Sequence, residues 1–225
     1  MSFFSIAIDG PAGAGKSTIA KKLAKKLSYI YVDTGAMYRA LALYFITNDI
    51  ESFEQDKIEK ACQDINVSIE YKDGEQIVLL NGKNVNHLIR TEEVGKMASA
   101  ISVYKKVRLK LVELQQNLAK QSNVVMDGRD IGTYVLPKAN LKIYLTASAN
   151  ERARRRWAQL KEKGIDSDIN MIEKDINERD KQDMNREFAP LKQADEAIYL
   201  DSSNLTIDEV VQKILAYYQE IKSNL

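Results

Sequence analysis

One cysteine and one histidine in 225 residues deny this chain several kinds of chemistry. Cys62 has no partner for an internal disulfide and no companions for a cysteine zinc site, which suits a reducing compartment. His87, equally alone, is expected to be a surface or loop residue and not a metal ligand. No apolar run approaches the roughly 18 residues that a membrane-crossing helix needs, and no basic stretch with a cleavage site precedes the first strand pattern. Charge of one sign is lacking too. Its 33 lysines and arginines nearly cancel 32 acids, leaving +1, so bulk electrostatics offers no pull toward nucleic acid. These absences lead to the expectation of a cytoplasmic protein, a monomer, with neither membrane nor nucleic acid among its partners.

What is present is ordinary for a folded protein: 44% apolar and 29% charged residues, and a length that suits one domain spanning 1–225. "SFFSIAI" at 2–8 reads as a buried strand, followed by a helix in which Ile19, Leu23 and Leu27 recur every four residues between lysine pairs. "YIYV" at 29–32 and a helix from Gly35 repeat the unit, which argues for a parallel sheet wrapped by helices. Between Ile65 and Leu88 the alternation breaks. There Asp73-Gly74 and Asn81-Gly82 separate runs of β-formers, and each pair suits a hairpin turn that needs positive φ at both central positions. A small antiparallel insert is expected at that point. The pattern then resumes with one long helix from Val94 to Ala119, strands "NVVMD", 141–147 and 196–201, helices from Asn150 and over 170–186, and a C-terminal helix opened by a Thr206–Glu209 capping box. The expected fold is therefore α/β, with five strands in the main sheet.

"GPAGAGKS", Gly10 to Ser17, fits G-x-x-x-x-G-K-[ST] and lies between a strand and a helix, where that motif works. Its glycines let backbone N–H groups close around phosphate oxygens, and the following helix turns its positive end toward them. Lys16 is expected to reach the β- and γ-phosphates, and the Ser17 hydroxyl to hold Mg²⁺. A nucleoside triphosphate site follows, formed by Gly10, Pro11, Ala12, Gly13, Ala14, Gly15, Lys16, Ser17 and Thr18. No Asn-Lys-x-Asp tetrad reads guanine later in the chain, which turns the reading from a GTPase toward a small kinase. Transfer onto a second phosphate gathers negative oxygens, so it calls for several arginines at one place. Arg39, Arg129, the run Arg152–Arg156, Arg179 and Arg186 all follow strands whose C-terminal ends share one edge of a parallel sheet.

The segments "IDGPAGAGKST", "VDTGAMYRALAL", "IRTEEVGKMAS", "VMDGRDIGTYVLPKA", "LTASANERARRR" and "ERDKQDMNREFAPL" together resemble the bacterial cytidylate kinases, in the same order and over nearly the whole chain. The resemblance implies a P-loop kinase core that phosphorylates CMP and dCMP with ATP and Mg²⁺, a monophosphate-binding insert at 65–95 and a mobile helical lid at 150–170. By the same resemblance Ser99, Arg108 and Asp130 read cytosine, while Thr34, Arg39, Arg129 and Arg186 lie near the acceptor phosphate. Arg179 and Asp183 fall at the sugar hydroxyls, Asp127 at the water shell of Mg²⁺, and Arg155 and Arg156 reach the transferring phosphate. Arg152 and Arg154 are expected on the helix surface, and Lys181 and Gln182 carry no assigned role. Other readings stay open at this stage: a kinase for UMP, AMP, shikimate or dephospho-coenzyme A, a nucleotide-dependent switch, or an RNA-binding module, against which the near-neutral charge speaks.

Overall fold

The computed structural model describes residues 3–224; Ser2, where the first expected strand begins, lies outside them. Strand β1 (Ser5–Asp9) leads through the glycine loop into helix α1 (Lys16–Leu27), and β2 (Ile30–Asp33) leads into α2 (Thr34–Thr47). Helix α3 (Gln55–Asp64) precedes three short strands, β3 (Val67–Lys72), β4 (Glu75–Leu80) and β5 (Lys83–Asn84). Helices α4 (Glu92–Ile101) and α5 (Lys105–Gln121) then return the chain to β6 (Val124–Gly128). A single wide turn over Ile131–Val135 separates β6 from β7 (Leu141–Thr146). The chain ends with α6 (Ala149–Glu162), α7 (Ile169–Asn185), β8 (Ile198–Asp201) and α8 (Ile207–Ser223).

The main sheet is parallel throughout, in the order β2-β6-β1-β7-β8. Alternate residues feed two cores, as the period of a strand requires. Ala7, Val32, Val124 and Met126 face a core shared with Met37, Leu41 and Phe45 of α2 and Leu111 of α5. Ile6, Ile8, Val125 and Ile143 face the other, with Ile19 and Leu23 of α1 and Val211 and Ile214 of α8. Among the described residues no helix is long and apolar enough to cross a membrane.

The insert forms as the turn chemistry requires. Asp73 and Gly74 have φ of 54° and 77°, Asn81 and Gly82 have 49° and 77°, and β3, β4 and β5 pair antiparallel. It docks beside β2, the outermost strand of the main sheet. The Gln76 carboxamide accepts from Asp33 N–H at 2.8 Å and donates to Asp33 C=O at 3.2 Å, and the Tyr71 hydroxyl donates to Tyr31 C=O at 3.1 Å.

Two expectations need correction. The helix expected over 94–119 is two helices, because the Ser102 hydroxyl bonds back to Ser99 C=O at 2.7 Å and Tyr104 takes an extended conformation (φ −77°, ψ 122°). Helix α3 was not anticipated. Its buried face is little more than Ile58 and Cys62, too few apolar residues to stand out in a polar stretch.

Candidate active site

The glycine loop owes its shape to contacts that a side chain would block. Gly10 lies at φ +148°, and a Cβ there would come within 1.9 Å of Leu145 O on β7. Lys16 opens α1 and is buried, with Nζ donating to Pro11 C=O at 2.7 Å. Burial, followed by the nearby Arg129 charge, holds its ammonium well below the usual lysine range. Ser17 Oγ donates to Asp127 Oδ2 at 2.9 Å, and the Tyr31 hydroxyl donates to Asp127 Oδ1 at the same distance. Burial and then the charge of Asp33 push the Asp127 carboxyl up to about 6. Of the expected loop residues Ala12, Gly13, Gly15, Lys16, Ser17 and Thr18 line a cleft of about 790 Å³, while Gly10, Pro11 and Ala14 are buried behind them.

The far end of the same cleft is built on β6 and the turn that follows it. Asp9, at the end of β1, accepts from Ile131 N–H at 2.8 Å and Gly132 N–H at 2.7 Å, which fixes the wide turn and so the residues before it. Thr34 Oγ1 donates to Asp127 C=O at 2.7 Å. Arg129 Nε donates to Asp183 Oδ2 at 2.9 Å, and Asp130 pairs with Arg108 at 2.6 Å and with Arg186 at 3.5 Å. Burial alone would push the Asp183 carboxyl up, but Arg129, Arg179 and Arg186 outweigh it and hold it below its ordinary value. Arg179 is pulled down to about 10 by burial and then by Arg129. Arg39 Nη1 donates to the carbonyls of Ile89 and Thr91 at 3.2 and 3.3 Å. Arg39, Arg129 and Arg186, from α2, the end of β6 and the end of α7, all line this one cleft, as do Thr34, Ser99, Arg108, Asp130, Arg179 and Asp183. Arg108 Nε, Arg179 Nε and Arg186 Nη2 are buried there without a hydrogen-bond partner among the described residues. Buried guanidinium nitrogens in that condition favour an anionic or acceptor-rich ligand.

Helix α6 stands over the glycine loop, capped by Ser148 Oγ, which accepts from Glu151 N–H at 3.2 Å. Arg155 Nη1 lies 3.9 Å from where a Cβ on Gly15 would be, and its guanidinium donates to Ser202 C=O at 2.6 Å and to Glu151 at 2.8 Å. Arg156 is half-buried, and its charge is felt by Arg39 and Glu92. Arg154 is exposed and held by Glu151. Arg152 overturns the expectation of a surface residue. It is buried, bonded to the carbonyls of Ala147 and Ala12 at 2.9 Å each and paired with Asp180 at 2.7 Å. Backbone carbonyls and a buried carboxylate thus replace the water that a helix-surface arginine would use.

The oxygen ligands beside the loop fit a hard divalent cation. Among the described residues no three His, Cys, Asp or Glu side chains gather into a metal cage. A hydroxyl, Ser17, backed by the carboxylates Asp127 and Asp33 is instead a sparse, hard oxygen set of the kind that fits Mg²⁺, a cation that takes few protein ligands.

The sequence profile described as cytidylate kinase matches residues 6–220. The chain belongs to the cytidylate kinase family. A cytidylate kinase of Caldicellulosiruptor saccharolyticus is 54% identical over 224 residues, covering 100% of this chain and 99% of its own. Those of Lactobacillus johnsonii and Bacillus cereus strain G9842 are 49% and 47% identical, covering 97% and 94% of this chain and 95% and 94% of theirs. Among solved structures, a gluconokinase from Sinorhizobium meliloti 1021 aligns with a TM-score of 0.51 at 14% identity over 100% of this chain and 97% of its own, a likeness of fold alone. Membership makes this chain a kinase.

Several residues of this family member's cleft escaped the sequence reading. Arg90 pairs with Asp33 at 2.8 Å beside the Ser17–Asp127 bond, and Gln182, which does not itself line the cleft, donates its amide to C=O of the lining residue Ser99 at 2.8 Å. Leu205, Ile207 and Val210, at the start of α8, line the cleft near Arg155 and give it an apolar wall at the P-loop end. The local signals were faint: one arginine before "TEEV", one glutamine in a charged helix, and a capping box read only as a helix start.

Proposed function

We propose that this kinase transfers the γ-phosphoryl group of ATP to the phosphate of CMP and of dCMP, giving CDP and dCDP. The observation that carries the reading is one cleft with two unlike ends: a glycine-lined anion nest, and a buried lattice in which Arg108, Arg129 and Arg186 are held by Asp130 and Asp183. Cytosine offers an amino donor and ring acceptors. Asp130 accepts from the amino group with oxygen lone pairs that Arg108 leaves available, and Arg108 and Ser99 donate to the ring. Arg179 and Asp183 meet the sugar hydroxyls, and Thr34, Arg39, Arg129 and Arg186 surround the acceptor phosphate. Residues 65–95 then form the monophosphate-binding insert.

The acceptor phosphate is already an anion, so no general base is needed and catalysis reduces to alignment and charge neutralisation. Lys16 exchanges its bond to Pro11 C=O for the donor phosphates, with Arg155 and Arg156 adding positive charge from the lid, residues 150–170. Closure of the lid excludes water that would otherwise take the phosphoryl group. Ser17, and Asp127 through water, would hold Mg²⁺, which when bound would supply neutralising charge to the donor phosphates. The enzyme acts as a cytoplasmic monomer.

A coupled assay with ATP and Mg²⁺, run in parallel with CMP, dCMP, UMP, AMP and shikimate, tests the reading. CDP and dCDP formation far above the other products is expected. Faster turnover of AMP or shikimate, or slow ATP hydrolysis whatever acceptor is offered, would overturn it.

A further inference from the structure

The P-loop residue Ala12 has both of its polar backbone groups held from outside the nest. Its N–H donates to Asp180 Oδ1 at 3.3 Å, and its carbonyl accepts from Arg152 Nη1 at 2.9 Å. Arg152 Nη1 and Asp180 Oδ2 are 2.7 Å apart, with side chains only 7% and 10% exposed, and Arg152 Nε reaches back to Ala147 C=O at 2.9 Å. The loop lies so close that a Cβ on Gly13 would meet Arg152 Cβ at 3.2 Å. Neither charged side chain lines the cleft.

A buried ion pair is a poor source of net stability, because desolvation offsets most of the attraction. What this pair gains besides itself is a grip on loop backbone. A glycine-rich loop can rotate its peptide planes easily, and an anion nest works only when successive N–H groups point inward. Fixing the peptides on either side of Ala12 removes that freedom before the ligand arrives, which is preorganisation. Arg152 lies in the first turn of α6 and Asp180 in the C-terminal part of α7, so the same pair ties both helices to the loop.

We propose that Arg152 and Asp180 are positioning residues of the donor-phosphate cradle: they set its peptide orientations without touching ATP. The inference rests on the ATP reading of the loop. Its test is the double variant Arg152→Met/Asp180→Leu, which removes both charges together and is expected to fold, since apolar replacement of a buried pair is commonly tolerated. Asp180→Asn alone is a milder variant that keeps the shape of the site. Affinities for MgATP and for CMP are measured by titration calorimetry, with the thermal midpoint alongside. Both variants are expected to bind MgATP ~10-fold or more weakly, the double variant most, with CMP affinity within about twofold of wild type. Unchanged MgATP affinity in a cooperatively folded double variant, or equal losses for MgATP and CMP, would reduce the pair to a structural brace. Asp180→Asn decides by the same ratio if the double variant does not fold. Failure of the wild type to bind MgATP would overturn the cradle reading itself, a result separable from failure of the variants to differ.

Discussion

The two ends of the cleft hold their charges in opposite ways. At the acceptor end Arg108 and Asp130 are 2% and 6% exposed, and Arg186 reaches both Asp130 and Asp183 from the same interior. On α6, over the P-loop end, Arg154 is 67% exposed, and it and Arg155 share Glu151 through helical i,i+3 and i,i+4 spacing. Breaking a buried pair strands a charge at about 3–5 kcal/mol, so the first set keeps its geometry. Exposed pairs on a helix are worth little and can be exchanged for a ligand at small cost. Under the proposed function, the end that must tell one base from another is stiff, and the helix that covers the donor phosphates is soft above a cradle that is itself held from behind. Selectivity and turnover are thereby given to different parts of one pocket.

The largest blow to this contrast should come from Arg129→Ala, which leaves Asp183 without its closest partner and, under the proposed function, takes a cation from the acceptor phosphate. Loss of ~100-fold or more in kcat/KM for CMP is expected, with MgATP affinity little changed. Normal CDP formation by that variant would show that the stiff end is not where the acceptor is held. A smaller effect is expected from Gln182→Glu, which is isosteric but cannot donate to Ser99 C=O and sets a carboxylate against it. About a fivefold rise in KM for CMP, with KM for ATP unmoved, is the expected steady-state result. A change confined to thermal stability would mean the bond is only a brace. The smallest effect belongs to Arg154→Ala, expected to alter kcat/KM less than about threefold for either substrate. A large loss there would make the soft end more ordered in action than its exposure suggests.

The parts of the fold and cleft that were legible in the sequence are those set by local rules. A backbone anion nest demands glycine at fixed spacing after a strand, so the loop stands out. Hairpin turns with two positive-φ positions announce themselves as Asp-Gly and Asn-Gly. Arg129 and Asp130 follow β6 directly, so the rule of strand ends in parallel sheets brings them to the cleft edge. Arg152 was hidden because its partners Ala12 and Asp180 are remote in sequence, and a helix-borne charge run gives no sign of which member turns inward. Gln182 bonds a carbonyl 83 residues away, equally without local trace. The break between α4 and α5 has neither proline nor glycine to mark it and depends on hydroxyls, Ser102 to Ser99 and Tyr104 to Ser52 C=O at 2.7 Å.

The docking of Gln76 on Asp33 has a consequence beyond catalysis. An outer strand with free N–H and C=O groups is a template on which a second chain can pair and from which aggregates can grow. The carboxamide of Gln76 imitates a neighbouring strand for one residue of β2, and Tyr71 occupies a further carbonyl two residues earlier. The hairpin thus insulates β2 from intermolecular sheet extension, and a homologue trimmed of it would be exposed to self-association even with its P-loop unaltered.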